Sequence, residues 1–406
     1  MKVTVFRIAS IYFVCEVLTL ILATAFNMRA SQEGVDASSL TNPAIAFAFL
    51  FWTTGAIKLS LPNYRLYKPV YPIVFYIIFF MWSFFPTIFT EGLTFTETIV
   101  NCCMVLTPMI VFLSTHNAML QSNYEKTEKG LFLFFFICLF VQFVSIFREI
   151  NFLDLAHIGS GFYLLYLLPL ILTMKSRFIK IACSLIVIFA LFLSMKRSGI
   201  IALAFALLGY IFIRQYVRRK FNIRSFIGSI VTISIAGALF FILGNSDANR
   251  ENMFDRFENI EKDNGSGRLE VWEHTYSMIA DQDIFHFMVG NGYDTVRRDS
   301  HLQLSAHNDF LEVTYDFGLI GLLLYILAFT ALIAYVVRMV RAHSQYAPPA
   351  AMLCIIYLVQ SMISHIVIYY WVNLFMLSFG YMTAKYRLGL YNTEDTTYES
   401  QPQQKV

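Results

Sequence analysis

The sequence predicts an all-α polytopic membrane protein with about twelve transmembrane helices. Three observations carry that reading. Of the 406 residues, 57% are hydrophobic and 14% charged, whereas a soluble surface needs about 25% charged residues. Apolar runs of roughly 20 residues recur along the chain, long enough to cross a bilayer as helices. Lys and Arg collect in alternate loops, the pattern of spans inserted with their basic loops inside.

The first run follows Lys2 and Arg7 and ends near Ala23-Thr24-Ala25, which imitates a signal peptide. Its apolar part, Ile8 to Phe26, exceeds a usual signal h-region and is read as a retained span. Further spans fall near 42–61, 70–88, 97–115, 130–148, 160–175, 179–195, 198–213, 225–243, 318–338, 349–367 and 369–386. With the N-terminus in the cytoplasm, 20 of the 30 Lys and Arg lie in inner segments, and both termini face the cytoplasm. The short outer loops then carry only Arg29, Arg148, Lys196 and Arg197. The net charge of +3 is uninformative by itself. All six cysteines lie in apolar runs, so neither a disulfide nor a metal site is expected; separately, no cofactor is expected.

This divides the chain into spans one to nine (1–244), a large outer loop (245–317), spans ten to twelve (318–386) and a tail (387–406). The tail is polar after Leu390 and is expected to be disordered. Within the outer loop, Leu269, Trp272, Tyr276 and Ile279 recur at the spacing of an amphipathic helix over Gly267 to Ala280. Gly290-Asn291-Gly292 reads as a tight turn. From Ser305 a capped helix is expected to run into the tenth span. Glu16 is the clearest acid inside a span, and an intramembrane carboxylate is a functional candidate by default.

Three outer positions share one local setting. Arg197 precedes Ser198, read as the cap of the eighth span; Arg268 follows Ser266 and Gly267 at the start of the loop helix; His307 follows Ser305. At each helix start, free N–H groups and the macrodipole favour an anion. Arginine suits a phosphate because its planar fork binds oxygens in bidentate fashion. A histidine at a positive helix end stays neutral near pH 7 and can act as a general base. Each position also has a structural reading. Arg197 and its neighbour Lys196 could be interfacial, Arg268 salt-bridged to Glu270 or Asp263, and His307 a loop cap. His274 and His301 read as solvated loop residues, Trp272 as loop core, and Asp309 and Asp316 as helix-terminal or interfacial charges. Asn264-Gly265-Ser266 reads as a turn, although it matches a glycosylation sequon.

Three pieces in order resemble a known family: Lys196-Arg197-Ser198-Gly199; then Gly267-Arg268 with Trp272 and Gly290-Asn291-Gly292; then His307-Asn308 with Leu311, Gly318 and Gly321. The pattern is similar to the O-antigen ligase and polymerase superfamily (the Wzy C-terminal domain family) of bacterial inner-membrane glycosyltransferases. The resemblance implies a metal-independent, inverting transferase with a periplasmic active face and an undecaprenyl-diphosphate-linked oligosaccharide as donor. It implies that Arg197 and Arg268 bind the diphosphate and that His307 activates the acceptor hydroxyl. Lys196, Ser198, Ser266, Asn308, Asp309, Asp316 and Trp272 would support them. The acceptor would be a lipid-linked repeat unit for a polymerase, which the Ser-Ala-His-Asn-Asp run favours slightly, or the lipid A core for a ligase. The bilayer and a chain-length regulator are the further partners implied, and no nucleic acid is expected. Twelve spans would also suit a transporter or flippase, but Glu16 is nearly alone among charges inside the spans.

Overall fold

The computed structural model describes residues 71–120, 129, 132, 136, 160–193, 197–219, 223–224, 227, 267–367 and 372–399. All regular structure among them is helical. The helices are α1 (Tyr71–Ile88), α2 (Phe95–Met119), a 3-10 helix (Ser160–Leu167), α3 (Leu168–Leu172), α4 (Arg177–Leu193) and α5 (Arg197–Val217). They continue as α6 (Arg268–Ala280), α7 (Ile284–Val289), α8 (Thr295–Asp299), α9 (Asp309–Arg341), α10 (Ala347–Ile363) and α11 (Val372–Glu399). Three are long and apolar enough to cross a membrane: Phe95–Met119, Ser198–Val217 and Asp309–Arg341. Ile73–Ile88 and Ala347–Ile363 are shorter apolar helices. The spans expected at 5–26, 42–61 and 225–243, most of the one at 130–148, and Glu16 lie outside the described residues, as do Lys196 and Ser266.

The segments expected at 70–88, 97–115, 179–195 and 198–213 coincide with α1, α2, α4 and α5 to within a few residues. α2 starts on a capping box. The Thr94 hydroxyl accepts from Glu97 N at 3.3 Å and the Glu97 carboxylate accepts from Thr94 N at 2.8 Å, which satisfies two helix-end donors. The segment 160–175 departs from a single long helix. Pro169 offers no N–H and its ring clashes with the carbonyl one turn back, so an α-helix starts at it rather than running through it. The turns before it are 3-10 instead, and Leu165 to Leu168 are buried.

The interior is aromatic. Tyr357 stacks on Phe375 at 4.3 Å between centroids, Phe375 on Phe379 at 6.0 Å, and Phe79 meets Tyr325 at 5.3 Å. Between membrane helices the lipid competes for apolar contact, so packing and internal hydrogen bonds hold such a bundle together. Ser378 Oγ, for example, donates to the Tyr166 carbonyl at 2.9 Å and ties α11 to the 3-10 helix.

α5 and α10 run antiparallel, side by side. His343, just before α10, bonds the carbonyl of Val217 at the end of α5 at 3.2 Å and stacks on Tyr216. Midway, Gly209 lies against Ile355, where a Cβ would run into the isoleucine. The start of α5, at Arg197, therefore emerges at the same end of the bundle as the end of α10, at Ile363.

α9 begins at Asp309, well before the span boundary expected at 318, and it is two helices in one. Gly318 breaks it with φ 71° and ψ −180°, a conformation essentially restricted to glycine. The break frees three carbonyls, and each is satisfied. Asn291 N donates to Tyr315 O at 3.2 Å and Gly292 N to Asp316 O at 2.7 Å; Trp82 Nε1 donates to Phe317 O at 2.9 Å. Gly290 has φ 93°, and a Cβ there would collide with the Asp316 carbonyl, as one on Gly318 would with Met288 O. The Gly-Asn-Gly turn thus exists to dock on the kink.

Two expectations are corrected. Val271, Thr275 and Ile279 form the buried stripe of α6, while Leu269 and Tyr276 are exposed and Trp272 is half-buried. The helix presents the face one residue away from the larger apolar side chains, because Ile279 joins Val296, Ala306 and Tyr315 in a small separate core. The tail expected to be disordered is helical to Glu399, as α11 passes Leu390 without a break. A helix anchored by a buried face extends one hydrogen bond per residue without a new nucleation cost.

Candidate functional site

The start of α9 is built around a strained histidine. His307 has φ 52°, a left-handed conformation that costs a non-glycine residue about 1–2 kcal/mol. Its neighbours hold it there. Ala306 N donates to Glu312 Oε2 at 2.6 Å. Asn308, not Ser305, is the cap of the helix: its Oδ1 accepts from Phe310 N at 2.9 Å and Leu311 N at 3.3 Å. The amide of the same Asn308 donates to the Met362 carbonyl at 3.1 Å.

That last bond leads to the segment after α10, where the sequence offered no signal. His365 is 7% exposed, and its Nδ1 lies 2.9 Å from Nδ1 of His307, with the ring centroids 4.6 Å apart. One nitrogen must donate and the other accept. If His307 donates, its Nε2 is the unprotonated nitrogen, the tautomer a general base requires. The partner ring then orients it and receives the charged hydrogen bond once it is protonated, as the third group does in nucleophile–base–orienter arrangements.

Asp309 fixes the segment that carries His365. It is fully buried, and its Oδ1 accepts from Ile366 N at 2.6 Å and Val367 N at 3.0 Å. Its Oδ2 accepts from the Tyr325 hydroxyl at 3.0 Å, which also meets the Tyr357 hydroxyl and Ser361 Oγ, each at 3.1 Å. Asp316 is also fully buried and serves the polar helical module formed by α6 to α8. Its carboxylate accepts from the backbone N–H of Asp294, Thr295 and Val296 and from the Thr295 hydroxyl at 2.8–3.1 Å, capping α8. Asp309 stands in the first turn of α9, as the helix-terminal reading expects, but buried; Asp316 lies further along the helix, buried, and that reading does not hold for it. Burial pushes the Asp294 carboxyl above its usual range, against the pull of Arg297 and Arg298.

Glu312 completes a row of buried acids with Asp309 and Asp316 on one side of α9. The sequence reading missed it. Beyond the bond from Ala306, its Oε1 is buried without a hydrogen-bond partner among the described residues. The spacing 309, 312, 316 repeats at one helical turn and could have flagged the row.

The arginines enter from two directions. Arg197 is the first residue of α5, with Ser198 buried in the first turn rather than capping it. The antiparallel pairing of α5 with α10 brings that helix start to the bundle end that holds His365. Arg268 is half-buried at the first position of α6, after Gly267 at φ 73°. α6 rests on the half of α9 before Gly318 through Ile279, at its other end and about 16 Å along the axis from Arg268. Trp272 Nε1 is buried without a partner among the described residues. His301 is exposed, as read from the sequence, and its ring meets that of half-buried His274 edge-to-face at 4.0 Å. Burial first, and His301 second, hold His274 below the usual histidine range.

Apolar helices long enough to cross a bilayer, a polar helical module seated on a broken helix, and a part-buried histidine pair mark a membrane protein with a candidate site at the start of α9. Residues 182–326, from α4 to the half of α9 after Gly318, match the family described as O-antigen ligase (Wzy_C). Over that stretch the chain is similar to the O-antigen ligase/polymerase superfamily. Arg197, Arg268 and His307 fall inside the match, and His365 lies beyond it. No curated protein matches the chain.

Proposed function

We propose that the protein transfers a glycan from undecaprenyl diphosphate to an acceptor sugar hydroxyl at the periplasmic face of the bacterial inner membrane, as a repeat-unit polymerase of a surface polysaccharide. The observation that carries the reading is the His307–His365 pair at the start of α9, in a chain whose residues 182–326 match the O-antigen ligase family. His307 Nε2 takes the proton of the acceptor hydroxyl as its oxygen attacks the anomeric carbon. The bond from that carbon to the diphosphate oxygen breaks on the opposite face, so configuration inverts, and the electron pair leaves on the diphosphate. Arg197 and Arg268 stabilise that leaving charge without a metal. General-base catalysis contributes about 10²–10⁴-fold, and stabilising the leaving group is an electrostatic contribution of at least that order.

Purified protein with a lipid-linked donor and a gel readout of chain length tests the proposal. His307→Ala, Arg197→Ala and Arg268→Ala should each abolish laddering while the protein still accumulates in the membrane; normal ladders from all three would sink it. Activity should survive EDTA, and a loss restored only by a divalent cation would reject the metal-free step. The description of the matched family favours a second reading, ligation of finished polymer to the lipid A core. The envelope of a deletion strain separates the two. Loss of a polymerase leaves a single repeat unit on the core, and loss of a ligase leaves bare core with polymer held on the lipid carrier.

A further inference from the structure

At the opposite end of the bundle from the histidine pair lies a cavity of ≈ 800 Å³. It sits between the end of α3, the start of α4, the last turns of α5, the start of α10 and Lys385 of α11. Six cations line it: Lys129, Lys175, Lys180, Arg214, Arg218 and Lys385. No described residue in the lining is acidic. This is the end that the Lys and Arg distribution assigns to the cytoplasm.

The lining is graded along α5. α5 runs inward from the His365 end, so Arg218 is its outermost lining residue on this side, Arg214 comes one turn deeper, and Tyr210 one turn deeper again. Arg214 stands over the Tyr210 ring at 5.8 Å, a cation–π contact that fixes the guanidinium towards the cavity's aromatic wall. Lys129, Phe132 and Phe136, each helical, bring the same two chemistries to another wall. Both walls join charge to aromatic rings. A free inorganic anion needs only the charges; a ligand with a charged head and an apolar body matches the whole gradient.

We propose that this cavity is a binding site for the headgroup of an anionic phospholipid of the cytoplasmic leaflet, with the phosphates among the six cations and the proximal acyl chain along Phe132 and Phe136. Six cations around one cavity suit a headgroup with more than one phosphate. Basic pockets between membrane helices on the cytoplasmic side take such lipids. The site is independent of the glycan-transfer reading, because it lies at the other end of the bundle and uses none of the same residues.

The test uses the full chain, purified and reconstituted in nanodiscs, with lipid retention read by native mass spectrometry. Nanodiscs of zwitterionic phosphatidylethanolamine alone are compared with nanodiscs containing a minority of cardiolipin. The wild type should retain cardiolipin selectively. Arg214→Gln with Arg218→Gln should weaken retention roughly 30-fold, from the contribution of each basic residue beside anionic lipid. Lys129→Gln with Lys175→Gln serves as an independent pair should the first variant fail to fold. Arg338→Gln with Arg341→Gln removes two cations near the same end but outside the cavity and should retain cardiolipin as the wild type does. Equal retention of both lipids by the wild type, or unchanged selectivity in a folded cavity variant, overturns the proposal. So does displacement of cardiolipin by inorganic phosphate at concentrations that leave the charges unscreened, since that would make the cavity an anion site without a lipid.

Discussion

His307 and His365 present a choice of tautomer that decides which of them can accept a substrate proton. Only His307 stands on the strained turn, between Ala306 and Asn308, each held by a hydrogen bond of its own. If His365 orients the base, His365→Ala should lower kcat by about 10²-fold, change the shape of the pH–rate profile and leave the donor KM in place. A rise in KM alone would make His365 a binding residue. Asp309 works one step further back, as the acceptor for two backbone N–H groups and a buried tyrosine hydroxyl. Asp309→Ala would strand those donors, and thermal unfolding in detergent should show a loss of about 2–5 kcal/mol. No measurable loss would mean that the 364–367 segment is held by other contacts.

At the scale of elements, the join between the polar helical module and the membrane helices is a pair of glycines facing each other's backbones. Gly318→Ala should destabilise the protein by about 3 kcal/mol, from a conformation barred to alanine and from collision with Met288 O. Gly389 supplies the control: it lies in α11 with nothing within 4 Å of an added Cβ, so Gly389→Ala should be neutral or stabilising by up to about 1 kcal/mol. Equal effects at the two positions would deny the kink its special role. The Gly-Asn-Gly turn, the helix over 268–280 and the run into α9 were all legible in the sequence. Their fit was not, because the carbonyls freed at Gly318 find Asn291, Gly292 and Trp82 only once three separate segments have packed.

For the whole molecule, the arrangement predicts opposite faces for opposite ends of the bundle. A cysteine at Leu304, which is exposed beside the histidine pair, should react with a membrane-impermeant thiol reagent in intact spheroplasts. One at Ala342, exposed between α9 and α10, should react only after permeabilisation. The reverse pattern would invert the topology and with it the assignment of the transfer site to the outer face.

Composition, run length and basic loops were sufficient for a helical membrane protein, because a bilayer leaves few other ways to satisfy a backbone. Local signals also located the helix starts at Arg197 and Arg268, and placed a third near His307, two residues before α9 begins at Asp309. The face α6 buries, the 3-10 turns before Pro169 and the pairing of His307 with His365 are different in kind. Each depends on which surfaces meet after packing. His365 falls inside the run read from the sequence as the span 349–367, whereas the helix ends at Ile363. Asp309, 57 residues away in sequence from the first N–H it accepts, makes that segment part of the site.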